Sequence, residues 1–210
     1  VTPSRLWSSL EKATDKKVSA IGDSLIRQTG VPLLTVDAQC AGDRTYVSIT
    51  QESFPNQNQY PASTWTVPVT LAYGDAMAQR KTFVMDNNRT NLELPGCTAV
   101  LAGPTGQDYY VSNYSAASWS ALLAQAQNFA DNKPLLLNIE RDAFRLLGVG
   151  RITQAQYDQI KGVLNLPTAL LAKTQESQQK MAAVDAGAKE EYPHALRFQG
   201  SLKLRENLQR

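Results

Sequence analysis

The nine residues from Trp65 to Tyr73 read Trp-Thr-Val-Pro-Val-Thr-Leu-Ala-Tyr, with Trp65, Val67, Val69, Leu71 and Tyr73 at every second position. Successive side chains of a strand point to opposite faces, so an extended backbone puts all five on one side, which has to be buried. Thr66, Pro68, Thr70 and Ala72 take the other face. Pro68 has no N–H to give to a ladder, which predicts a sheet edge or a bulge there. Upstream, Val47 and Ile49 alternate with Tyr46, Ser48 and Thr50 before the chain breaks at Ser53-Phe54-Pro55. Two such strands imply a sheet, and a sheet needs a second layer over its apolar face.

Further extended pieces follow from the same pattern: Leu33 to Val36, Arg80 to Asp86, Leu92 with Leu94, Thr98 to Ala102 and Tyr109 to Tyr114. Turn residues separate them at Ala41-Gly42-Asp43, Gly74-Asp75, Pro95-Gly96 and Gly103-Pro104. Six or seven short strands at this spacing predict an antiparallel β-sandwich over residues 31–115.

Helical periodicity flanks the sandwich. Thr2 is a candidate cap, Pro3 suits the first helical position, and Leu6, Trp7 and Leu10 form a stripe. A second helix from about Lys17 carries Val18, Ile21 and Leu25, with Gly30 a C-cap candidate and Pro32 forbidding continuation. Both are short and amphipathic, so they need a partner surface. After Ser115, with Ser118 available as a cap, Trp119, Leu122, Leu123, Ala126 and Ala130 recur at helical spacing. Leu136, Ile139, Ala143, Leu146 and Leu147 give another helix, stopped at Gly148-Val149-Gly150. Thr153 and Gln156 form a capping-box pair ahead of Tyr157, Ile160 and Leu164, and Pro167 follows. Residues 168–186 look weakly helical, and 187–210 are polar. The expected fold class is therefore α+β in three parts: helical 1–30, sandwich 31–115 and helical 116–210.

A chain of 210 residues that is 42% hydrophobic and 19% charged can build a core without staples. Its net charge of +2 gives no reason to expect a nucleic-acid partner. No apolar run approaches the roughly 20 residues that span a bilayer. Cys40 and Cys97 either pair, if their strands are neighbours, or stand as two separate buried thiols; pairing points to an exported protein.

Chemistry is thinly represented. His194 is the single histidine, which leaves one imidazole for metal binding or for activating a nucleophile. Gly148-Val149-Gly150 follows a helical pattern and lacks a third glycine, so it reads as a helix stop and not a nucleotide loop. No catalytic and no metal-ligating residue is expected in this chain, and its substrate-binding residues are unknown. Asn88-Arg89-Thr90 and Asn113-Tyr114-Ser115 have the form of glycosylation acceptors. The apolar stripes at both ends look like faces made for a neighbour.

Several segments carry a resemblance in a fixed order. They are Gln28-Thr29-Gly30-Val31-Pro32-Leu33-Leu34-Thr35-Val36, then Gln51-Glu52-Ser53-Phe54, then Trp65-Thr66-Val67-Pro68-Val69, then Tyr110 to Tyr114, and finally Asp142-Ala143-Phe144 with Leu146 up to Gly150. Together, over residues 1 to about 165, they resemble the C-terminal half of the aminopeptidase N family of zinc metallopeptidases. Leu25 stands where that family usually has Trp, and Ser53 where Arg is common. The resemblance implies that 1–30 is the helical end of a catalytic domain, followed by the sandwich and the start of a helical domain. It makes Gly30, Pro32, Trp65, Pro68, Tyr110, Asp142 and Phe144 structural positions. The parent protein would use zinc to remove N-terminal residues from peptides, with both the zinc ligands and the catalytic residues upstream of Val1. The partners implied are that catalytic domain and the peptide substrates, and a periplasmic or secreted location is favoured over the cytoplasm. The alternatives are a non-catalytic immunoglobulin-like binding or adhesion module, or a scaffold derived from a degenerate peptidase.

Overall fold

The computed structural model describes residues 2–15, 18–28, 30–54 and 64–166. Pro167, the helix expected over 168–186, His194 and the polar tail lie outside the described residues. Two helices, α1 (Pro3–Thr14) and α2 (Ser19–Arg27), precede β1 (Val31–Ala41), β2 (Arg44–Phe54), β3 (Val67–Tyr73), β4 (Gln79–Met85), β5 (Arg89–Pro95), β6 (Leu101–Ala102) and β7 (Val111–Tyr114). Helices α3 (Ala116–Ala124), α4 (Lys133–Gly148) and α5 (Gln154–Leu164) follow. The strands form two sheets, ordered β5-β2-β1-β7 and β4-β3-β6. The fold is α+β, with two N-terminal helices, one mixed and one antiparallel sheet, and C-terminal helices.

The β1–β2 hairpin runs in unbroken register from Val31↔Phe54 to Ala41↔Arg44. Gly42 opens its two-residue loop at φ +63°, a conformation that tight hairpins assign to glycine. Along the paired strands Leu34, Val36, Val47 and Ile49 face the second sheet and meet Val67, Val69, Leu71 and Met85 in one buried core. Strand β7 corrects the wholly antiparallel expectation, because it joins β1 in parallel, from Leu33↔Val111 to Val36↔Tyr114. Parallel neighbours need a long crossover, and strands β2 to β6 supply it.

Pro68 sits in β3, which lies between β4 and β6 in the sheet order. Strand β6 is only Leu101–Ala102 and pairs with Leu71 and Ala72, so at the level of Pro68 β3 is locally an edge, and no ladder bond is lost.

The helix ends differ from expectation in four places. Thr2 occupies the N-cap of α1, but its side chain makes no capping bond. Helix α2 ends at Arg27 with Gln28 already extended, so Gly30, at φ +92°, turns the link into β1 and does not cap the helix. The cap of α3 is Ser115, which accepts from the Ser118 backbone N–H; the Ser118 hydroxyl instead accepts from the Ala38 N–H of β1 at 2.8 Å. Helix α3 also stops at Ala124, and Ala126–Phe129 form a 3-10 turn. The expected capping box of Thr153 and Gln156 is present at α5.

Cys40 and Cys97 form a disulfide with their Cα atoms 5.1 Å apart, within the range a bridge requires. Both are exposed, so the alternative of two buried thiols is set aside. The bond ties the end of β1 to the loop after β5.

Candidate functional site

Among the described residues no group of three or more His, Cys, Asp or Glu side chains could hold a metal ion. No described helix is long and apolar enough to cross a membrane. Several of the residues singled out in the sequence gather where α2 and α4 meet the strands.

The first joint is built on Gln51. Its position in β2 turns the side chain inward, where the amide accepts from the Trp65 N–H and donates to the Trp65 carbonyl, both at 3.0 Å. The same amide donates to the Asn87 carbonyl at 2.7 Å. A side-chain amide thereby makes the bonds a neighbouring strand would have made. This explains why Trp65, expected as the first residue of a strand, is held in place although β3 begins at Val67. The indole is wholly buried (0% exposed). Helix α2 closes the same corner: Ser24 Oγ accepts from the Thr66 N–H at 2.7 Å, and Gln28 Nε2 donates to the Thr64 carbonyl at 3.1 Å. Pro32, the residue that ends helical continuation, is buried at the start of β1.

Helices α1 and α2 form a tightly fitted hairpin. Glu11 Oε1 accepts from the N–H groups of Val18 and Ser19 at 2.9 Å each, and so caps α2. Trp7 lies across Gly22, where a Cβ would come within 2.4 Å of the indole. The Trp7 Nε1 donates to Asp23 Oδ1 at 3.1 Å. Yet no residue of α1 is buried.

The second joint is α4. Asp142 is buried, and its Oδ2 accepts from the Ser112 N–H of β7 at 2.9 Å. Its Oδ1 lies 3.5 Å from both the Arg141 and the Arg145 guanidinium. Burial drives the Asp142 pKa up, the two arginines and Ser112 pull it down, and burial prevails. Asn138 donates to the Gly103 carbonyl, and Arg141 donates to Gly106 O at 2.8 Å and to Asn138 Oδ1. The loop before β7 is thus clamped onto α4. Gly103, at φ +66°, lets that loop pass over Tyr110, since a Cβ there would lie 3.3 Å from its ring. Tyr110 itself is buried, and burial and the Asp108 charge push its hydroxyl pKa up. Arg151 of the helical region reaches Glu52 of β2 at 2.7 Å.

Phe144, on the same helix, packs against Tyr157 of α5 with ring centroids 5.8 Å apart. The Tyr157 hydroxyl donates to Glu140 Oε1 at 2.5 Å, while Glu140 Oε2 has no partner among the described residues. Burial raises the Glu140 pKa, against the opposing effects of Tyr157, Lys161 and Arg141. An acid whose folded pKa lies above its unfolded value binds its proton more tightly when folded, so stability falls as pH rises through that window. Glu140→Gln keeps an acceptor for Tyr157 and removes the buried charge. Thermal melts are expected to show the variant more stable than the parent at pH 7, with the difference shrinking as the pH is lowered toward 4. A gain that grows on acidification contradicts this assignment.

Asp142 and Phe144 were legible as part of one motif and Gln51 as the start of another, but Glu140 and Glu11 were not singled out. The signal for Glu140 was present: an acid lying between Ile139 and Ala143 on an otherwise apolar helical stripe. No family model matches this sequence.

Proposed function

We propose that this chain is the accessory region of a zinc-dependent aminopeptidase: a β-sandwich with helices that supports a catalytic domain of the same polypeptide and walls the access of peptides to it. The carrying observation is the α1–α2 hairpin. It is braced internally by Glu11 and Trp7 and docked to the Trp65 corner, but Leu6 and Leu10, one turn apart on α1, are 48% and 40% exposed, and Ile26 of α2 is 53% exposed. An ordered hairpin that turns its apolar side chains outward is a surface for another folded body. The sequence landmarks add support, since Gln51 and Trp65 lie where α2 meets the strands and Asp142 where α4 is fastened to β7. The exposed disulfide supports export from the cytoplasm.

In this reading zinc and its ligands belong to the catalytic domain. The described residues here do not fit the metal, so no chemical step is assigned to them. The test compares this 210-residue chain with a longer product that includes the sequence encoded ahead of Val1. Metal analysis and hydrolysis of leucine p-nitroanilide are expected to find equimolar zinc and turnover in the longer product and neither in the shorter chain. An upstream segment lacking His-Glu-x-x-His, or a short chain that binds equimolar zinc or cleaves the substrate, overturns the proposal.

A further inference from the structure

The outward face of the mixed sheet is divided. Near the start of β1, Leu33 and Val111 are buried where α3 and α4 pack on β1 and β7. Toward the hairpin end the face is open and holds a groove of about 420 Å³, within the range of small-molecule sites. We propose that this groove binds a neutral polyhydroxylated ring, a saccharide of one or two units. The proposal is independent of the peptidase reading.

The register builds the groove. Gln39, Tyr46 and Glu93 stand opposite one another across β1, β2 and β5, and Asp37, Ser48 and Asn91 form the next such row. Val47 and Leu92 line the groove between the rows; their side chains point to the core, so they contribute backbone to its floor. Tyr46, 46% exposed, offers an aromatic face against which the C–H side of a pyranose can pack.

The polar groups are held in place. Asp37 accepts from Ser115 Oγ at 2.6 Å and from Gln39 Nε2 at 3.0 Å. Arg89 Nε donates to Ser48 Oγ at 3.0 Å, which leaves its terminal amino groups without a partner among the described residues. Glu93 pairs with Arg44 at 3.3 Å. Side chains fixed before binding lose less entropy when a ligand arrives. Of the three charged side chains that line the groove, Glu93 is neutralised by Arg44 from outside it, and Asp37 and Arg89 are of opposite sign, so neither an anion nor a cation gains from the site as a whole. Fixed planar donors beside fixed planar acceptors match vicinal hydroxyls, each of which donates and accepts.

The test uses backbone amide NMR on the full chain, titrated separately with maltose, cellobiose and diacetylchitobiose. Saturable shifts are expected with at least one sugar, confined to the amides of β1, β2 and β5 that line the groove. Tyr46→Ala and Arg89→Ala should each weaken binding roughly tenfold or more, with melting temperatures close to the parent's because both side chains are exposed. The proposal is overturned if none of the three sugars gives saturable shifts, or if the shifts persist undiminished in both variants.

Discussion

Replacing Trp65 by alanine lowers the unfolding free energy by about 3–5 kcal/mol. The indole is completely buried and shares the core with Leu34, Ile49 and Met85. Its removal therefore combines lost apolar transfer with a cavity that a two-sheet core cannot collapse to fill. For a chain of this size the loss corresponds to a fall in melting temperature of roughly 6–20 °C. Trp65→Phe is the informative companion. The indole N–H has no partner among the described residues, so phenylalanine orphans no acceptor and loses only part of the ring volume. Gln51 bonds the backbone of Trp65 and not its ring, so that anchor survives in both variants. Thermal melts should rank parent, Trp65→Phe and Trp65→Ala in descending order; an alanine variant that melts with the parent refutes the assignment of Trp65 as core anchor.

Asp142→Ala is expected to cost about 3 kcal/mol and to act locally. The substitution leaves the Ser112 N–H without its acceptor and removes the counter-charge from Arg141 and Arg145. Those side chains are 25% and 35% exposed, so water recovers part of the lost interaction, and the full penalty of a broken buried pair does not apply. Asp142→Asn retains an acceptor for Ser112, and because burial already holds the Asp142 pKa above its ordinary value the lost charge costs little, so this variant should melt close to the parent and well above alanine. Because Asp142 fastens α4 to β7, amide hydrogen exchange should accelerate first at Ser112 and along α4, while the β1–β2 hairpin, whose β1 end is tied by the disulfide to the loop after β5, stays protected. Uniform acceleration across both regions, or none, contradicts the role of Asp142 as the tie between sandwich and helices.

The candidate surfaces were legible to different degrees. The apolar stripe of α1 was readable from Leu6, Trp7 and Leu10, as was its need for a partner. That Trp7 turns inward onto Gly22 while Leu6 and Leu10 stay out was not, because spacing names a helical face without saying which side of it a neighbour takes. The polar groove was invisible for a related reason. Tyr46, Arg89 and Asp37 come from three strands, and only the register sets them in adjacent rows.

Strand alternation from Trp65 to Tyr73, the proline at the start of α1, the stop at Gly148 to Gly150 and the capping box of α5 were fixed by the sequence alone. Each depends on backbone sterics or hydrogen bonds within a few residues, and those act the same way in any fold. The parallel docking of β7, the Cys40–Cys97 bond, the diversion of Ser118 to Ala38 and the use of Gln51 as a substitute strand were decided by tertiary structure. They join segments far apart in the chain, and which of them meet depends on which apolar faces must be covered together. Local propensity carries no record of that choice.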